Sequence, residues 1–393
     1  MGRGLRVTAL AGVLAAFPAL APAQSSLRIG GFFKVGLENI RIGNTARAGN
    51  TSENRVTDNL SRIVFNITED VGNGLQAVAQ VDMRFSPDNG AGPSATGASW
   101  VGLRSRVWGT LTFGRHDLHY GLQPDDIARK AGSDKARSVS LFDFVQNGAT
   151  TQAIANASRT PNVVRWDTPN WNGFRLTTAY STNAAGVEND INGVAGARKG
   201  DAWNLNPSFA GSNFQIGYSY WKSREDAVVT PAACSISPPA PGTITCASAS
   251  VTQNEQRGDT LYAYYKWSGL KVGFGWNKSK LKSANGIEAA DRNAWTLPLS
   301  YSFGAHNLYA HYTRADDDKI QGSDTGANMF ALSYVYDISK RTSFGLTYAR
   351  IRNEPAASYQ FYTDNGGSQS SGNAAPLLGE DPQLFSTTLK HAF

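Results

Sequence analysis

Apolar and polar residues alternate with a period of two along most of this chain, in segments of about ten residues. Across 75–85, Leu75, Ala77, Ala79, Val81, Met83 and Phe85 share one face of an extended strand, and Gln76, Gln80, Asp82 and Arg84 share the other. Phe344, Leu346 and Tyr348 alternate in the same way with Ser343, Gly345, Thr347 and Ala349, as do Leu308, Ala310 and Tyr312 with Tyr309, His311 and Thr313. About ten residues is the length a tilted strand needs to cross a bilayer. The alternation continues to the final position, where Phe385, Thr387, Leu389, His391 and Phe393 fall on one face. A chain ending inside a strand leaves an open edge, and pairing with a first strand beginning near Leu27 closes the sheet into a barrel.

The connections sort into two kinds. Short turns stand at 71–74, 108–109, 169–173, 211–213, 268–269, 303–306 and 337–341, and long loops near 41–57, 86–98, 117–156, 183–200, 225–256, 281–290, 316–326 and 353–382. Seven short and eight long connections, in strict alternation, join sixteen strands. A Greek-key sandwich mixes both kinds at each end, whereas a membrane barrel keeps short turns on the periplasmic side and long loops outside. The expected fold is therefore all-β: a sixteen-stranded antiparallel up-and-down transmembrane barrel wide enough for an aqueous channel. Tyr262, Tyr264, Tyr265 and Trp267, gathered at one strand end, read as part of an interfacial aromatic girdle.

The N-terminus supplies the compartment. Arg3 and Arg6 precede an apolar run over 7–20 and then Ala21-Pro-Ala23, which predicts a secretory signal peptide over 1–23 and a barrel over 24–393. The run is too short for a spanning helix, which needs about 20 residues. Abundant Gly (40), 11% aromatic residues and only 17% charged residues suit short strands, tight turns and an aromatic-rich outer surface. The net charge of +6 includes Arg3 and Arg6, and no Lys/Arg-rich run accompanies it, which argues against a nucleic-acid partner. Cys234 and Cys246 lie in a Pro/Ser/Ala-rich stretch of an exported chain, so a local disulfide is expected. No metal or cofactor is expected, since neither His nor a second Cys pair lies near them. Asp316, Asp317 and Asp318 lack the alternating spacing of a calcium loop and read as a solvated loop tip.

Several segments resemble the general porins of Gram-negative outer membranes, in particular the β-proteobacterial type. They are Ser61-Arg-Ile-Val-Phe-Asn-Ile-Thr-Glu-Asp70, Gly72-Asn-Gly-Leu-Gln-Ala77, Trp100-Val-Gly-Leu103, Gly109-Thr-Leu-Thr-Phe-Gly-Arg115, Val163-Val-Arg-Trp-Asp-Thr-Pro169, Tyr336-Asp-Ile-Ser-Lys-Arg-Thr342 and the terminal strand ending in Phe393. The resemblance, which runs from residue 27 to the end, implies a trimer of water-filled diffusion pores set among outer-membrane lipid and lipopolysaccharide. It also implies a third external loop folded into the lumen, and Phe393 as a signal read by the barrel assembly machinery.

A diffusion pore needs fixed charges along a narrow aqueous path rather than a nucleophile. Strand parity places Lys34, Arg62, Arg84, Arg104, Arg106, Arg159 and Arg165 on polar faces. By the resemblance, Arg62 and Arg159 match a ladder of wall arginines; a further ladder position falls on Gly97, with Arg84 or Arg104 as substitutes. The loop 117–156 is the candidate constriction and carries Asp125, Asp126, Asp134 and Asp143 beside Arg129, Lys130, Lys135 and Arg137. Acids facing the ladder would set up a transverse field. The Pro-Glu-Phe-Gly-Gly motif of the enteric loop is absent, and Ser140-Leu-Phe-Asp-Phe-Val145 stands near its place. An arginine-rich wall favours anions, including small organic acids, because guanidinium pairs with carboxylate in two parallel hydrogen bonds. Three other functions compete with this one: a substrate-specific anion channel, an adhesin using 225–256 and 353–382, and a barrel hydrolase built on His116, Asp117 and His119.

Overall fold

A computed structural model describes residues 25–119, 121–154, 159–184, 200–224, 254–283, 286–362 and 376–393, with four three-residue strands between 228 and 252. The expected signal segment 1–23 lies outside these residues. The main sheet holds eighteen strands. Two of them, Ser52–Asp58 and Ala91–Ser94, are pieces of external connections added to the rim, which leaves sixteen antiparallel strands in the wall, from Ser25–Gly43 to Asp381–Ala392.

Closure follows from the terminal strand. Its residues pair with the first strand from Phe32↔Ala392 to Gly43↔Asp381, so no wall edge is left open where lipid offers no hydrogen bonds. The lower part of the first strand, Ser25 to Phe32, pairs with the second wall strand, Arg62–Gly72. Phe393 finishes the seam: its amide donates to the Gly31 carbonyl at 3.2 Å, and its ring lies 6.2 Å from that of Phe33. Deleting Phe393 should lower the yield of folded, SDS-resistant barrel in outer-membrane fractions without altering the conductance of the molecules that do insert. Unchanged yield would show that the seam and the assembly signal do not depend on it.

The alternation read from the sequence sorts the faces. Leu37, Trp203, Leu297, Phe330 and Leu389 are exposed on the outside of an isolated barrel, whereas Lys34, Glu38, Thr296, Thr313 and Ser333 are buried on the inside. An apolar band around a polar lumen is the arrangement a bilayer requires.

Three details differ from expectation. The first strand continues to Gly43 and Ser52–Asp58 folds back along it, with Glu38↔Arg55 in register, so much of the 41–57 connection is rim strand. The strand Ser99–Ser105 ends before Arg106, which places Arg106 in a turn and off the lumen face. Of the four girdle residues, Tyr265 and Trp267 point outward; Tyr262 and Tyr264 point inward, their hydroxyls donating to Asn206 at 3.4 Å and Gln215 at 2.9 Å. Clustering at a strand end does not set direction; parity does.

Cys234 and Cys246 are backbone register partners in a small hairpin, and their side chains lie outside what is described. Asp318 is not a solvated tip. It is 1% exposed and accepts the amides of Asp291, Ile320 and Gln321, which shapes the 316–326 connection.

The pore and its internal loop

The strand Gly109–Asp117 ends at the outer side, and the chain then turns into the barrel. His119 fixes the entry point, with Nδ1 2.9 Å from the Ser219 hydroxyl and Nε2 3.2 Å from the Thr260 hydroxyl. From there the loop follows the inner wall. Asp126 accepts from Lys271 at 2.8 Å, Lys130 pairs with Asp337, and the Ala131 carbonyl accepts the Thr388 hydroxyl. Asp134 pairs with Lys34 at 2.7 Å, and Lys135 reaches Glu38 at 3.1 Å and Thr57 at 2.9 Å. The Ala136 carbonyl lies 2.8 Å from His311 Nε2, and Arg292, wholly buried, donates to the carbonyls of Leu141 and Phe142. A Cβ at Gly345 would lie 2.2 Å from the Ala131 carbonyl oxygen, so the loop packs against bare wall backbone there. Ile127, Val139, Leu141 and Phe144 complete the seat in one buried cluster with Met329, Ala331, Ile351 and Tyr359. One half of the barrel is thereby lined by loop. The other half remains open.

Two of the four loop acids tie the loop to the wall, and the other two lie within the loop itself. Asp134 and Asp126 hold lysines of the wall, and Asp126 also holds Arg129 at 2.7 Å. Asp125 accepts the amides of Ile127 and Ser138. Asp143 is 2% exposed, and burial pushes its carboxyl up to about 7 against the opposing Gly121 amide and the charges of Arg137 and Arg292. Because the folded value lies above the ordinary one, near 3.9, the folded state binds the proton more tightly than the unfolded chain does. The Asp143 contribution is therefore full at acid pH and lost as pH rises from about 4 to 7. The thermal midpoint should fall over that window, and Asp143→Asn should flatten the fall; an identical slope in both proteins would show that Asp143 does not titrate there.

The open half carries the predicted arginines. Arg62 and Arg84 are cross-strand partners. Arg84 binds both oxygens of Asp82 at 2.8 Å, and Arg62 reaches the same carboxylate at 3.7 Å while lying over the Phe32 ring. Lys390 approaches that ring at 4.1 Å. Arg159 pairs with Asp117 at 3.3 Å, and Arg165 grips Asp167 through two 2.8 Å hydrogen bonds. Arg62 is within electrostatic reach of Arg84, Asp82, Asp134 and Arg159, which makes these groups one cluster. Lys34 is not part of the open surface, since the loop covers it. Arg104 stands apart, near the periplasmic mouth.

Gly97 has a physical explanation. A Cβ there would lie 2.2 Å from the Asp82 carboxyl carbon, so that carboxylate fills the space a side chain would take. The sequence reading missed Asp82 and Asp167 as partners of the arginines, although each sits two residues from its arginine on the same strand face. It also missed Arg175, Arg292 and Lys390.

The His116, Asp117 and His119 grouping is divided among separate tasks. His119 bonds to Ser219, which is fully buried and out of reach of any solute, and His116 stacks on Trp100 at 5.8 Å.

The comparisons agree with this architecture. A family model described as Gram-negative porin matches residues 8–356. An outer membrane porin protein of Bordetella pertussis is 27% identical over 369 residues, covering 85% of this chain and 90% of that protein. An anion-selective porin from Comamonas acidovorans shares the fold with a TM-score of 0.71 at 19% identity, over 94% of this chain and all of that one. The trimer form of OmpT from Vibrio cholerae gives 0.62 at 12% identity, over 94% and 99%. The family match takes in the inner loop and every wall strand but the last, and the chain therefore belongs to the Gram-negative porins, channel-forming barrels of the outer membrane.

Proposed function

We propose that the pore prefers anions and admits small hydrophilic solutes by diffusion. One observation carries this reading: Asp126 and Asp134 are matched by wall lysines, Asp125 is bonded within the loop and Asp143 is buried, so none of the four is offered as a free carboxylate to the open arginine wall. Around the constriction, Arg62, Arg84 and Arg159 pair with two carboxylates among the described residues, Asp82 and Asp117, and Lys390 adds a further cation. Fixed charge in a narrow aqueous path raises the local concentration of its counterion, here the anion. Asp134 also lies within reach of Arg62, but Lys34 already matches its charge at 2.7 Å. The anion-selective Comamonas porin with this fold is in keeping with the reading, as the trimeric OmpT form is with a homotrimer.

Current through single channels separates diffusion from a saturable pathway. It should rise in proportion to potassium chloride concentration; saturation in the millimolar range would favour a substrate-specific anion channel. Export is tested on the same preparation, whose N-terminal sequence should begin at Gln24 if the segment 1–23 is removed.

A further inference from the structure

Among the guanidinium groups left over once the ion pairs of the wall are assigned, two stand together at the inner end of the pore. Arg104 sits on the lumen face of Ser99–Ser105, just before the turn at 106–108, and Arg175 is the second residue of Phe174–Ser181, just after the turn at 168–173. Both turns are of the short, periplasmic kind, so both arginines stand at the inner mouth of the pore, below the Arg62 cluster. Among the described residues neither has a hydrogen bond or ion pair to protein. Their register neighbours are uncharged polar residues, Gln76 and Thr110 for Arg104 and Ser208 for Arg175.

Both arginines line one cavity of about 650 Å³, together with Arg165, Trp100, Asn206 and Ser208. That volume is typical of a small-molecule site. The two carboxylates in its lining are matched already, Asp167 by Arg165 and Asp117 by Arg159. Two forks without partners therefore face a concave space, and the charge missing from it is negative. A guanidinium fork presents two parallel N–H donors at the spacing of a carboxylate or phosphate edge. Trp100, stacked on His116, offers an apolar surface for a carbon skeleton, and the hydroxyl and amide groups of Ser208 and Asn206 replace water around polar substituents.

We infer that the inner end of this cavity, between Arg104 and Arg175, is a resting site for a small solute bearing a carboxylate or phosphate group, on the periplasmic side of the constriction. The inference rests on the anion preference above and adds a place where the permeant pauses. An anion leaving the constriction is captured by Arg104 and Arg175 and released to the periplasm, so flux of such solutes saturates while chloride current does not. The site also makes the channel asymmetric: an oxyanion reaches it more readily from the periplasmic side.

The test uses full-length protein inserted in one orientation in a planar bilayer, carrying chloride current, with succinate added to each side in turn. Succinate should block at lower concentration from the periplasmic side. The double variant R104Q/R175Q should raise the half-blocking concentration about tenfold or more, the scale set by losing charge-assisted hydrogen bonds. R104K/R175K keeps the charges but loses the forks and should also raise it severalfold, which separates pairing geometry from the general field. Inorganic phosphate should compete with succinate. A half-blocking concentration within twofold of the unaltered pore in R104Q/R175Q, or additive block by phosphate and succinate, would overturn the site. The reading beneath it fails separately, on a cation-sided zero-current potential in the unaltered pore.

Discussion

Replacing Arg62 and Arg159 together by alanine is expected to move the zero-current potential of the channel toward the cation side by tens of millivolts under a tenfold salt gradient. An ideally selective pore for monovalent ions reaches about 59 mV, so this is a large part of the available range. The expectation follows from how the wall charges are shared. Asp82 stays bound to Arg84 when Arg62 is removed, but Asp117 loses the Arg159 guanidinium at 3.3 Å and keeps only the electrostatic reach of Arg115. The cluster thus loses two cations and leaves one carboxylate less compensated. Screening sets the conditions: the Debye length is about 10 Å at 0.1 M salt and about 3 Å at 1 M, so the shift should be largest in dilute salt. R62K/R159K is the control that keeps charge, and it should retain most of the original potential. An unmoved potential in the alanine variant would mean that neither residue lines the constriction.

The second large effect is structural. Lys34 and Asp134 form an ion pair with side chains 1% and 8% exposed, and it ties the loop to the first strand. Removing one partner of a buried pair typically costs about 3–5 kcal/mol, because the remaining charge is stranded away from water. Lys34→Ala should lower the temperature at which the folded barrel yields to SDS. It should also turn steady single-channel current into flicker, since the loop would leave its seat. Truncating both partners should cost less than the sum of the single changes, because no stranded charge remains. Additive costs, or steady current in Lys34→Ala, would show that the pair does not hold the loop.

These two cases mark what the sequence could and could not reveal. The wall was legible because a lipid face and a water face impose a period of two on every strand, and the rhythm of turns and loops gives the strand number directly. Parity put the candidate arginines on the lumen face, except Arg106, which falls in a turn beyond the end of its strand. The roles of the loop acids did not, because their partners lie far along the chain: Lys34 for Asp134, Lys271 for Asp126, and a seat built from Gly345, His311 and Arg292. Such pairings depend on how the loop lies across the barrel, and no local spacing encodes that path. The pairing of Arg84 with Asp82 and of Arg165 with Asp167 was local and readable as an arginine and an aspartate two positions apart on one face. It changes the picture of the pore, since the arginines meet carboxylates of their own wall rather than those of the loop.

The most direct test of the whole account is the zero-current potential of the purified, unmutated protein in a planar bilayer under a potassium chloride gradient. The charge distribution predicts a conducting pore with an anion-sided potential that weakens as salt rises. A cation-sided potential would contradict the anion preference, and the absence of any conductance would contradict the channel itself.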